Sequence, residues 1–179
     1  MRFFENCVLR QAAGLAAALW LAAGTAAVYA PPAAAGGWVH ATRVVVYKSR
    51  RQLLLINHGR VVKRFHISLG ERPVGPKHHE GDMRTPVGEY RLDGKNAYSR
   101  FYMSIHISYP NARDRARARR LGENPGDNIM IHGLPNNPRK PRSYYLHHDW
   151  THGCIAVSDD AMQWIWMAVK RGTPIDIKP

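Results

Sequence analysis

Short apolar runs broken by turn residues constrain this chain of 179 residues more than any other feature. Arg43-Val44-Val45-Val46-Tyr47-Lys48 and Gln52-Leu53-Leu54-Leu55-Ile56 are β-branched or aliphatic, and Ser49-Arg50-Arg51 between them makes a hairpin. Asn57-His58-Gly59 turns the chain again. Residues 60–69 then show the mixed alternation of a half-buried strand, which Gly70 stops. Pro73, Gly75, Pro76 and Gly81 exclude regular structure from residues 71–84, so this segment reads as a long loop, a common place for a site. Residues 87–92 and 102–108 supply further strands, the second ended by Pro110-Asn111. The class is mostly β, with no internal repeat and no second folded domain.

Two helices interrupt the strands. Residues 114–121 are arginine-rich, have little apolar face and close at Gly122, which suits a surface helix. A second begins at Ser158, a good N-cap, with Asp159 and Asp160 where the positive end of the helix dipole favours them. Met162, Ile165, Trp166 and Val169 give it one buried face, and the neighbouring Trp164/Trp166 pair reads as core packing rather than a ligand platform. Pro174-Ile175-Asp176-Ile177 makes a closing strand.

The N-terminus is different in kind. Arg2 and Arg10 precede an uncharged stretch from Gln11 to Val39 whose hydrophobic centre is followed by small residues, the order of a secretory signal. Ala33-Ala34-Ala35 offers a cleavage site, giving a signal peptide over 1–35 and one domain over 36–179. An uncleaved anchor is the competing reading, since the stretch is long enough to cross a bilayer, although its alanines and glycines make a weak span. Export to the periplasm follows from the signal, and membrane attachment only if the segment is retained. Cleavage removes Cys7 and leaves Cys154 as the lone cysteine, so no internal disulfide can form. An unpaired thiol in an oxidising compartment is a liability unless it is buried or used.

The formal net charge is +13, which points to an anionic partner. Arg113, Arg115, Arg117, Arg119 and Arg120 would suit nucleic acid, but export argues against that partner. Outside the cytoplasm the acidic candidates are phospholipid and carboxylate-rich wall peptides, and the latter also offer amide bonds to a thiol.

Cys154 stands in Thr151-His152-Gly153-Cys154-Ile155, and the apolar run Ile129-Met130-Ile131 delivers His132 before Gly133. An unperturbed thiol is only a few per cent ionised at neutral pH, so a nucleophilic cysteine needs help from a base. His152 is too close in sequence to turn its ring readily onto the sulfur. His132 comes from a separate strand and is assigned as general base, with its other ring nitrogen needing an acceptor. The Gly153 and Cys154 N–H groups are the expected oxyanion donors.

Ile131-His132-Gly133 with Thr151-His152-Gly153-Cys154-Ile155 resembles the YkuD-type L,D-transpeptidase catalytic domain. Residues 80–90, containing Thr85-Pro86-Val87-Gly88-Glu89-Tyr90, resemble the family's Thr-Pro-x-Gly-aromatic strand, and residues 102–110 with Pro125-Gly126-Asp127-Asn128 are similar to its YafK-like branch. The resemblance implies a β-rich sandwich with Cys154 at the floor of a cleft. It implies Cys154 as nucleophile and His132 as base, with the Gly133 carbonyl orienting that base and Thr151, His152 and Gly153 shaping the oxyanion loop. The implied substrates are peptidoglycan stem peptides, attacked at diaminopimelate to form a thioester that an amine resolves. Water in place of the amine would make the enzyme an endopeptidase or amidase. No cofactor is implied.

Two departures stand out. Ala156 occupies a position where many members carry arginine, and the segment 135–150 is longer than usual, with Arg139, Lys140, Arg142, His147, His148 and Asp149 placed to form a lid. Lys77, Arg84 and Arg139 are candidate contacts for substrate carboxylates, and Tyr144 and Tyr145 candidate lining residues. Two rivals of another class are a zinc site drawn from His78, His79, Glu80, His132, His147, His148, Asp149, His152 and Cys154, and a non-catalytic wall-binding module. The histidine spacing fits no established zinc pattern, and a binding module leaves Cys154 unexplained.

Overall fold

The computed structural model describes residues 39–179; the signal segment, Cys7 and the cleavage site lie outside the described residues. The strands are β1 (Arg43–Tyr47), β2 (Gln52–Asn57), β3 (Arg60–His66), β4 (Gly88–Asn96), β5 (Ser104–Ile107), β6 (Met130–His132), β7 (Ile155–Ala156) and β8 (Thr173–Lys178). Three helices accompany them: α1 (Ala112–Leu121), α2 (Arg142–His147) and α3 (Asp159–Ala168). All eight strands form one hydrogen-bonded sheet in the order β3-β2-β1-β8-β4-β5-β6-β7. The pairs β1/β8 and β6/β7 are parallel and the others antiparallel.

The sheet curls. Beyond β3 the chain crosses to the opposite end of the strand order, where Ser68 and Ala156 exchange both backbone hydrogen bonds at 2.8 Å and Gly70 bridges Thr151. This closure explains why Ile67 and Leu69 are buried while β3 itself is largely exposed, contrary to the half-buried strand expected over 60–69. Val44, Val46, Leu53, Leu55, Ile105, Ile107, Ile131 and Ile155 fill the core, and α3 closes it with Met162 and Ile165. The N-cap of α3 is Ser158, whose hydroxyl accepts the Ala161 N–H. Trp166 packs against this core but Trp164 is exposed, with the Lys63 ammonium 4.5 Å from its ring centre, so the expected core role holds for only one of the pair.

Helix α1 starts two residues earlier than its composition suggests because Asn111 and Asp114 form a capping box, and Gly122 ends it in the left-handed conformation. It is not wholly superficial. Asp114 and Ala118 are buried, and the Asp114 carboxylate accepts the Tyr90 hydroxyl at 3.0 Å. Helix α2 was not expected within 135–150. Its six residues lack a side-chain cap and are held from outside, by the buried Tyr145 ring and its carbonyl, which accepts bonds from Ser68 and Trp150.

Candidate functional site

Parallel pairing of β6 with β7 brings the two halves of the motif together. Ile131 lies beside Ile155 and His132 beside Ala156, so the same register sets Cys154 next to Met130. Strand alternation then directs positions 130, 132, 154 and 156 to one face. The Asn128 carbonyl lies 3.6 Å from Sγ, placed to accept the thiol hydrogen.

The His132 ring is almost fully buried, at 1% exposure. Its Nδ1 lies 2.7 Å from the Gly133 carbonyl oxygen. A carbonyl can only accept, so Nδ1 carries the proton and Nε2 keeps its lone pair. Phe101 stacks on one face of the imidazole at 3.9 Å between centroids and 18° between planes, and Trp150 meets it edge-on at 5.6 Å. This enclosure strips water from the ring, and burial pushes its pKa down to about 4, partly opposed by the Gly133 bond. The imidazole is therefore neutral at ordinary pH. Burial also pushes the Cys154 thiol up, against the opposing influence of the Met130 N–H and the Lys77 charge. The resting state these shifts describe is a thiol and a neutral imidazole, not a preformed ion pair.

The turn before Cys154 is tied at several points. The Thr151 hydroxyl donates to the Cys154 carbonyl at 2.7 Å and accepts the Gly153 N–H at 3.1 Å. Of the two expected oxyanion donors, the Gly153 N–H thus bonds the Thr151 hydroxyl in this structure. Gly153 has φ +129°, and a Cβ there would stand 2.7 Å from the Arg84 carbonyl oxygen. Only glycine fits comfortably. Gly133 is equally confined, since a Cβ would meet the Tyr102 carbonyl oxygen and Asp159 Oδ1 at 2.7 Å each. His152 is exposed, whereas His132 is buried.

The remaining candidates are scattered in role. Lys77 is buried rather than presented to solvent, its ammonium 2.8 Å from Asp82 Oδ1 and 2.9 Å from the His79 carbonyl. The Arg84 guanidinium donates to the Val74 carbonyl at 2.6 Å. Arg139 is exposed. Tyr145 is buried and its hydroxyl accepts the Arg139 and Lys140 N–H groups, so it anchors the 135–150 segment; Tyr144 stacks on His148 at 4.6 Å. Asp149 pins the other end of that segment through Arg51 and the Leu69 N–H. Among the described residues no group of three or more His, Cys, Asp or Glu side chains is gathered to hold a metal ion.

Sequence reasoning missed Phe101, Trp150 and Asp82. Aromatic residues near a catalytic-type histidine carry no spacing signal when they arrive from separate segments. Its place with Glu80 among the basic residues of 72–84 was the available hint for Asp82.

Residues 41–177 match the L,D-transpeptidase catalytic domain, YkuD. The chain belongs to this family. Among curated proteins it is similar to "Putative L,D-transpeptidase YafK" of Escherichia coli (strain K12), 39% identical over 62 residues that make up 34% of this chain and 23% of that protein. Among solved structures it is similar to the helical cell shape determining protein Pgp2 of Campylobacter jejuni, with TM-score 0.60, 25% identity, and 76% of this chain against 47% of that one. An L,D-transpeptidase from Mycobacterium smegmatis shares the fold at TM-score 0.50 and 16% identity, covering 76% of this chain and 58% of that one. The matched part of this chain therefore spans less than two thirds of the length of each of these relatives. Its mostly β architecture is that of the L,D-transpeptidases.

Proposed function

We propose that this YkuD domain is a cysteine-dependent peptidoglycan L,D-transpeptidase of the periplasm, acting on stem peptides at diaminopimelate with Cys154 as nucleophile and His132 as general base. The observation that carries this reading is the Gly133 carbonyl on His132 Nδ1, which leaves the other ring nitrogen as a base on the face shared with Cys154.

Because thiol and imidazole are both neutral at rest, the proton moves as the sulfur attacks. The imidazole takes the thiol proton while the carbon–sulfur bond forms at the L-centre carbonyl of diaminopimelate. The tetrahedral oxyanion is met by the Cys154 N–H. Collapse breaks the amide, and the imidazolium hands its proton to the departing amine of the terminal D-alanine, leaving a thioester. An acceptor amine then loses a proton to the imidazole as it attacks, and the thiol is regenerated. Water as acceptor gives hydrolysis through the same residues.

Incubating the purified protein with defined muropeptides and weighing the products tests this. Cross-linked dimers are expected, hydrolysed linkages would reassign the acceptor to water, and Cys154→Ala should abolish both activity and covalent acylation by a carbapenem. Retained turnover in Cys154→Ala would sink the nucleophile assignment.

A further inference from the structure

The protein buries an ion pair that the chemistry above does not use. Lys77 and Asp82, on the loop between β3 and β4, are each under 7% exposed and joined at 2.8 Å. Burying two charges costs several kcal/mol each before pairing, so such a pair is weak evidence for stability and calls for another reason.

The carboxylate organises its own loop. One Asp82 oxygen accepts Lys77 and the Arg84 N–H, the other the His78 and His79 N–H groups. Arg84 in turn places its carbonyl against Gly153, where no side chain would fit. Lys77 is held a second time, its carbonyl accepting Arg117, which also bonds the buried Asp114 of α1. Lys48 fastens the same loop through the Gly75 and Thr85 carbonyls.

We propose that the Lys77–Asp82 pair is the positioning element of the thiol site: Asp82 fixes the segment whose Arg84 carbonyl backs Gly153, and Lys77 supplies a fixed positive charge within electrostatic reach of the Cys154 sulfur. This rests on Cys154 as the reacting group. Burial alone would keep the thiol protonated, and the Lys77 charge is one of two influences that oppose it. An ammonium held by a carboxylate and a carbonyl keeps its place while the sulfur gains negative charge, so no reorganisation is needed at that moment.

The test is the rate of Cys154 alkylation by iodoacetamide against pH, followed by peptide mass so that Cys7 does not contribute. Lys77→Met should raise the midpoint by about one pH unit, in keeping with loss of a nearby opposite charge. Lys77→Arg should restore most of it, which a purely structural role would not require. The double variant Lys77→Met/Asp82→Asn, which leaves no lone buried ion, carries the same readout where the single variant does not fold. It should be shifted upward by less than the single variant, because loss of the Asp82 charge partly offsets loss of the ammonium. His78, His79, Lys48, Asp114, Arg117, His132 and His152 are unchanged in these variants, so the shift belongs to the pair. An unmoved midpoint in a folded variant overturns the proposal. The alkylation readout does not depend on turnover, so its failure is distinct from that of the transpeptidase reading, which Cys154→Ala decides.

Discussion

In the unfolded chain the His132 imidazole takes up a proton near pH 6.5, whereas in the folded protein the buried ring does so only near pH 4. Between those values the unfolded state binds more protons, so stability falls as the pH drops through 6.5. The loss levels off below about pH 4, where the folded ring is charged as well. At about 1.4 kcal/mol per pH unit, the interval from 6.5 down to about 4 corresponds to about 3.5 kcal/mol, of which about 3 kcal/mol is lost by pH 4 itself, where the folded ring is half charged. That is a large share of the roughly 5–15 kcal/mol by which domains are stable. Asp82 adds a loss of the same sign at lower pH. Burial raises its carboxyl, but the bonds from Lys77, His78 and Arg84 outweigh this and hold it below its ordinary value. The wild-type curve alone therefore does not isolate the imidazole, and a comparison with His132→Gln does. Urea unfolding followed by tryptophan fluorescence at pH 7 and pH 4 should show the variant losing about 3 kcal/mol less than the wild type over that interval. Equal losses in both proteins would refute the buried neutral ring.

Two further outcomes follow from the site geometry. Gly153→Ala forces a side chain to φ +129° and against the Arg84 carbonyl oxygen, so the urea midpoint should fall by an amount equivalent to about 1–3 kcal/mol and acylation of Cys154 should be lost. Phe101→Leu uncovers one face of the imidazole, so the His132 titration followed by NMR should move up from about 4, and the acid limb of activity with it; an unmoved titration would count against the stacked ring as the source of desolvation.

The elements whose signals are local were legible. Ser158 with Asp159 and Asp160 marked α3, and Gly122 marked the end of α1, because capping depends on neighbours in sequence. The His132-Gly133 and Thr151–Cys154 motifs were legible for the same reason. What escaped is non-local. The parallel pairing of β1 with β8 joins Val44 to Ile175, and nothing in either run declares the other as its partner. Helix α2 escaped because it is held by Tyr145 and its long-range bonds rather than by propensity or caps. Lys77 stands in the sequence as a candidate contact for a substrate carboxylate, and only the folded loop sets Asp82 beside it. The number of lysines and arginines, 26, says nothing about which of them is enclosed.

Because Ala156 gives both its amide hydrogen and its carbonyl oxygen to Ser68, the outer rim of β7 is already occupied by the chain's own backbone. A ligand that approaches Cys154 along this rim therefore meets the Ser68 backbone where an added strand would have to pair with Ala156. Under the proposed function, a stem peptide would lie across the face of the sheet and be recognised by side chains and shape rather than by strand pairing at this position.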